Sequence, residues 1–357
     1  MMISRRPLGL ALRLLLIFAV LSAAAAQSGA SDVEREAVPD PLDLASVMNL
    51  AVEASTDVRT ARLDLASAER ALARVESDPT SLRVPLLEAR HAVEAARDTL
   101  RNAEAAARDG AGDAFAEGVD AEGRVAVAET ARDIARTEAE ATRIRLEAGA
   151  ATQSDVRRAE DAVRETERDV RNAVQARDLA QDRLGSLLDV TQALPPLRNV
   201  TDVPDVGSVE DALDRLEENA SLRSARRSVV LAEARLAATD VPFTTPPSEI
   251  EAARDRLETA RLRADELART LALSIRQAHD AALAAEGSLA NAREQRATAR
   301  EDVEVQEVRF EAGSIAAIEL ERSRLDAMRS ENQLRAARHD LLDALRSLEM
   351  AILGAGS

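Results

Sequence analysis

Two stretches of this chain are copies of one unit, and that duplication limits what it can fold into more than any other feature. Arg145-Leu146-Glu147-Ala148-Gly149 recurs as Arg309-Phe310-Glu311-Ala312-Gly313. Val58-Arg59-Thr60-Ala61-Arg62 recurs as Leu222-Arg223-Ser224-Ala225-Arg226, and Ala121-Glu122-Gly123 as Ala285-Glu286-Gly287. All three matches share one offset of 164 positions, which a biased composition does not produce by chance at separated places. Between the copies, Ala193-Leu194-Pro195-Pro196 and Val203-Pro204-Asp205 interrupt any helix. The expected organisation is a signal segment over 1–26, an N-terminal linker over 27–42, a helical repeat over 43–190, a Pro-containing linker over 191–206 and a second repeat over 207–357.

Within each copy the apolar period is helical. Val156, Val163 and Val170 recur every seven residues, as do Leu334, Leu341 and Leu348. That spacing keeps a narrow stripe on one helix face, so long coiled-coil-like antiparallel pairs are expected, with the stripes as ordinary buried core. Breaks are few. Asp78-Pro79-Thr80-Ser81 ends a helix in the first copy, and Val241-Pro242 with Thr245-Pro246-Pro247-Ser248 does so in the second, where Ser248 is a candidate cap. From Glu249 to Phe310 no Pro intervenes, a helix of about 93 Å at 1.5 Å per residue. In the first copy Asp109-Gly110-Ala111-Gly112 is expected to bend or break the matching helix. Return helices are expected over 155–189 and 318–353. The fold class is all-α, and its elongated units need neighbours to bury their stripes.

Composition narrows the function. Of 357 residues, 64 are acidic and 47 basic, every basic one an Arg, and there is no Cys, Trp or Tyr. Absent Cys removes disulfides, thiol catalysis and zinc-thiolate sites. A net charge of −17 disfavours nucleic acid as a partner, since backbone binding needs clustered cations. Four Phe as the whole aromatic content argues against a membrane β-barrel, which carries aromatic girdles. His91, His279 and His339 are scattered with no ligand spacing around them, and no phosphate loop or nucleophile elbow is present. No enzyme, cofactor or metal site is expected. At the N-terminus, Arg5 and Arg6 precede an apolar core over 8–20 and Ala24-Ala25-Ala26 precedes Gln27, the pattern of a secretory signal. Cleavage there leaves a charge of about −20.

The segments from Arg145 through Gly149 to Asp155 and from Arg309 through Gly313 to Glu319 resemble the periplasmic tips of the TolC-like outer-membrane efflux family. That family has tandem repeats, each with an aromatic-x-x-Gly turn followed by an acidic residue and an Ala-rich helix. Ala114-Phe115 and Ala278-His279 sit where the family often has Ala-Tyr, and the leading segments over 44–62 and 209–226 resemble its opening helices. The resemblance covers most of 43–354. One departure is large: the family inserts two transmembrane strands in each repeat, and here Glu76 to Val84 and Thr239 to Ser248 cannot hold them.

The resemblance implies a periplasmic helical tunnel component of an efflux or export system without its own barrel. It implies a homo-oligomer, a trimer with pseudo-sixfold packing, a periplasmic adaptor as partner at the tips, and a separate outer-membrane protein at the other end. The tip residues are Gly149, Gly313, Leu146 and Phe310; the alternative for them is a plain helical-hairpin turn. Asp155 and Glu319 would form acidic rings at a tunnel entrance; the alternative is a carboxylate offsetting a helix N-terminus. The rival function is a non-conducting coiled-coil spacer or scaffold of the cell envelope.

Overall fold

The computed structural model describes residues 41–191, 193–240 and 245–355. The expected signal segment, nearly all of the linker over 27–42, and Pro242 lie outside the described residues. The first copy holds α1 (Leu44–Ala54), α2 (Thr56–Ser77), α3 (Arg83–Glu147) and α4 (Gln153–Leu187). The second holds α5 (Val209–Asp214), a 3₁₀ turn (Arg215–Glu218), α6 (Ala220–Thr239), α7 (Pro247–Glu311) and α8 (Ala317–Leu353). No strand occurs among the described residues, only an isolated parallel bridge between Leu42 and Leu197. The protein is all-α.

The repeat extends to the helix ends. α2 and α6, α3 and α7, and α4 and α8 each begin 164 residues apart, and α3 and α7 are both 65 residues long. Ion pairs repeat as well. Glu69–Arg97 at 3.2 Å returns as Glu233–Arg261 at 2.7 Å. Arg136–Glu167 returns as Arg300–Glu331, and Arg143–Glu160 returns with its charges exchanged as Glu307–Arg324. A charge-exchanged pair at one place in two copies is a mark of geometry maintained while side chains changed.

Each long helix packs antiparallel on the helix that follows it, α3 on α4 and α7 on α8, while α2 lies against α3 and α6 against α7. Leu334, Leu341 and Leu348 are all buried, as the heptad spacing requires, whereas on α4 Val156 is buried and Val163 and Val170 are half-buried. The second-copy core gathers Leu289, Ala292, Leu334, Ala337 and Leu341, with Val203 and Val206 of the inter-repeat segment packed on it. The two copies meet along α3 and α8. There the Asn332 amide donates to the Gly123 carbonyl at 2.8 Å, and the Arg335 guanidinium to that of Val119 at 3.3 Å. Arg322 pairs with Glu138, and Arg346 reaches Asp109 at 3.1 Å and Asp113 at 2.6 Å.

Three expectations fail locally. α3 runs unbroken through Gly110 and Gly112. A Cβ at Gly112 would stand 2.7 Å from the Arg346 Cζ, and one at Gly123 2.6 Å from the Asn332 Oδ1. Gly112 therefore admits the close approach of α8 rather than ending α3, and packing outweighs its propensity cost of about 1 kcal/mol. Ser248 is not a cap: α7 opens with Pro247 at its first position, where a missing N–H costs nothing, and Pro246 stands before it without a side-chain cap. The leading segments are each broken, at Ser55 and at Asn219, which are again 164 apart.

Both breaking residues cap the next helix. Ser55 accepts from the Val58 N–H at 3.3 Å. Asn219, fully buried, accepts from Ser221 and Leu222 and donates its amide to the Ala351 carbonyl at 3.1 Å, tying α6 to the end of α8. Asn219→Ala loses the cap and strands a buried carbonyl, so it should cost about 2 kcal/mol in chemical denaturation. A variant with an unchanged midpoint would show that water satisfies both ends.

Candidate functional site

α3 ends in a tight turn. The Gly149 N–H donates to the Leu146 carbonyl at 2.9 Å and the Ala150 N–H to that of Arg145 at 2.7 Å, with Gly149 at φ 74°. α7 ends identically: Gly313 donates to Phe310 at 2.9 Å, Ser314 to Arg309 at 2.9 Å, and Gly313 has φ 70°. This double bond is the Schellman motif, whose left-handed position favours Gly. The turns lie at the same end of the helical unit, because the Arg322–Glu138 pair joins the start of α8 to the last part of α3.

The two exits differ. On α4, Thr152 caps with its hydroxyl, accepting from the Asp155 N–H at 3.2 Å, while the Thr152 N–H donates to the Asp155 carboxylate at 2.8 Å. This reciprocal capping box, together with the Arg158 guanidinium, occupies Asp155. The Thr152 hydroxyl and then its backbone N–H hold the Asp155 carboxyl below the usual range. That lowered value stabilises the start of α4 above the ordinary carboxylate pKa, and the contribution disappears as pH falls through the folded-state value. Glu319 is exposed in the first turn of α8, where Ala316 supplies no side-chain cap.

Phe310 is 42% exposed and Leu146, its equivalent, is half-buried. One turn-side neighbour was missed by sequence: Ile144 and its equivalent Val308 are 58% and 66% exposed. Their signal was present, since both copies place a β-branched residue two positions before Leu146 and Phe310. Ile144, Leu146, Val308 and Phe310 therefore give both copies apolar surface next to the turn.

Among the described residues no group of three His, Asp or Glu side chains could hold a metal. The His279 ring bonds the Gly207 carbonyl at 2.9 Å and His339 meets Asp120 at 3.1 Å, so both are built into packing. His279 takes the place of its equivalent Phe115; both are buried. No described helix is long and apolar enough to cross a membrane.

The architecture matches solved channels. CusC aligns with a TM-score of 0.63 at 11% identity, over 90% of this chain and 94% of that one. CmeC, the outer-membrane channel of Campylobacter jejuni, gives 0.63 at 11%, over 87% and 86%. The outer-membrane channel OprN gives 0.62 at 14%, over 87% and 90%. No family model matches the sequence, and no curated protein matches it. The fold is that of the helical TolC-like channel protomer.

Proposed function

We propose that this protein is a helical tunnel component of an efflux or export system, exported to the periplasm and associated with the outer membrane through a separate protein. The observation that carries this is a complete two-repeat protomer with both tips at one end, while the segments where barrel hairpins would sit are short. Residues 78–82 join α2 to α3, and 240–246 join α6 to α7; a barrel hairpin needs two strands of about 10 residues. Three copies would place six equivalent repeats around an axis. The tips, with Leu146, Gly149, Phe310 and Gly313, would meet an adaptor, and Ile144 and Val308 extend that apolar surface. Asp155 and Glu319 would then ring the entrance.

The test is the mass and shape of the purified mature protein. A hollow trimer is the expected result; a monomeric or dimeric rod would sink the tunnel and favour the envelope scaffold. If the trimer conducts in a bilayer, Asp155→Asn with Glu319→Gln should reduce its preference for cations. Unchanged selectivity would leave Asp155 as a helix cap only.

A further inference from the structure

One buried ionisable ring has no part in the tips. His339, 3% exposed, lies on α8 where that helix packs on α3. Its Nδ1 stands 3.1 Å from the Asp120 carboxylate of α3. A carboxylate only accepts, so this nitrogen carries the ring proton. The Nε2 atom is buried and has no hydrogen-bond partner among the described residues.

Acceptors are scarce around it. Arg335, one turn earlier on α8, donates through Nη1 to the Val119 carbonyl, yet its Nε is buried without a partner, as is the Nε of Arg338. Asp343, close enough to sense the charge of the ring, is held by Arg346, and Asp340 is exposed. On α3, Glu117 is paired with Arg183 of α4, and Arg124 is exposed. α7 and the inter-repeat segment face this stretch of α8 with Ala285, Leu289, Ala292, Val203 and Val206, none of them charged.

We propose that His339 is a proton-operated latch on the contact between α3 and α8. With the ring neutral the two helices stay closed; a proton taken from solvent onto Nε2 parts them locally, so that water can reach the new N–H. A bare Nε2 leaves one weak acceptor unmet, whereas a protonated one is a buried charged donor without an acceptor, which costs more. Attraction to Asp120 acts the other way. The Asp120 side chain is 22% exposed, so solvent screens that attraction, and Arg335 and Arg338 oppose a further positive charge. The working range is that of histidine, about pH 5 to 8. The positions equivalent to His339 and Asp120 in the other copies of the unit are Gln175 and Ala284, so the latch belongs to this contact alone. It lies within one chain and stands whether or not the chain forms a tunnel.

Amide hydrogen exchange of the full-length mature protein tests it, compared as protection factors at about pH 7.5 and about pH 5.5. Amides over 117–123 and 335–343 should lose protection about tenfold on acidification, beyond any change in α2. His339→Gln keeps a donor for Asp120 but takes up no proton, so its loss should be absent. Equal loss in both forms would assign the effect to the carboxyls, Asp343 nearest, and overturn the latch. Tighter protection of the wild type at the lower pH would overturn it too, because attraction to Asp120 would then have won. A second readout needs no variant to fold. With only His91, His279 and His339 in the chain, ring nitrogen resonances are few. That of His339 should report the Nδ1–H form at neutral pH, and its protonation should track the loss of protection. A ring that protonates while protection holds, or that stays neutral as protection falls, defeats the proposal.

Discussion

Asp98→Ala is expected to lower the unfolding free energy by about 3–5 kcal/mol, the range for removing one partner of a buried ion pair. Asp98 lies on α3, 5% exposed, and is the common acceptor for three guanidinium groups. Arg101 reaches it from its own helix at 2.5 Å, and Arg223 at 2.7 Å and Arg227 at 2.9 Å from α6. It joins the copies away from the α3–α8 seam. The cluster as a whole need not stabilise, because desolvation of its charges offsets their attraction. Truncation is different: it leaves Arg227, whose side chain is 12% exposed, without its closest counter-charge. Urea denaturation followed by helical ellipticity measures the loss. Asp98→Leu combined with Arg227→Met should recover most of it, since an apolar pair avoids the orphaned charge. A wild-type midpoint for Asp98→Ala would refute the argument.

Arg346→Met should cost about 3 kcal/mol at neutral pH, and the cost should shrink on acidification. Arg346 sits where α8 crosses α3 and bonds Asp109, Asp113 and Asp343 together. Burial pushes the Asp343 carboxyl above the usual range, and Arg346 draws it back. Without Arg346 that upward shift grows. A carboxyl whose folded-state pKa exceeds its unfolded value favours folding when protonated. Its contribution is complete below the unfolded value and is lost as pH rises through the folded value. The gap between variant and wild type should therefore open as pH rises through the carboxylate range. A gap that stays constant with pH would mean that lost packing, not charge, is what the substitution removes. Asp109 and Asp113 are partly exposed, and solvent screening there keeps the figure at the low end.

How much of this was legible depended on how local each signal is. Pro79, Gly149 and Gly313 mark helix ends because a missing N–H or a left-handed φ is a property of one residue. Leu334, Leu341 and Leu348 mark a buried stripe because heptad spacing is a property of one helix. Gly110 and Gly112 misled for the converse reason. The same atom count that weakens an isolated helix is what lets Arg346 lie against α3, and only the partner helix shows which effect wins. Ser55 and Asn219 were hidden because capping residues carry no period. Ile144 and Val308 were overlooked although each is two positions before a named tip residue. The Asp98 and Arg346 clusters could not be read at all: with charges at nearly a third of positions, any Arg has many possible Asp partners.

The sequence by itself determined the duplication, the all-α class, the offset that relates the copies and the place of both tip turns. These follow from periodicity and from the backbone preferences of single residues. Only the tertiary structure decided that α3 and α8 form the internal seam, while Leu283 and Gly287, the α7 equivalents of seam residues Val119 and Gly123, stay uncovered. That choice depends on which charged faces meet across 184 to 237 residues of chain, and no local preference encodes it.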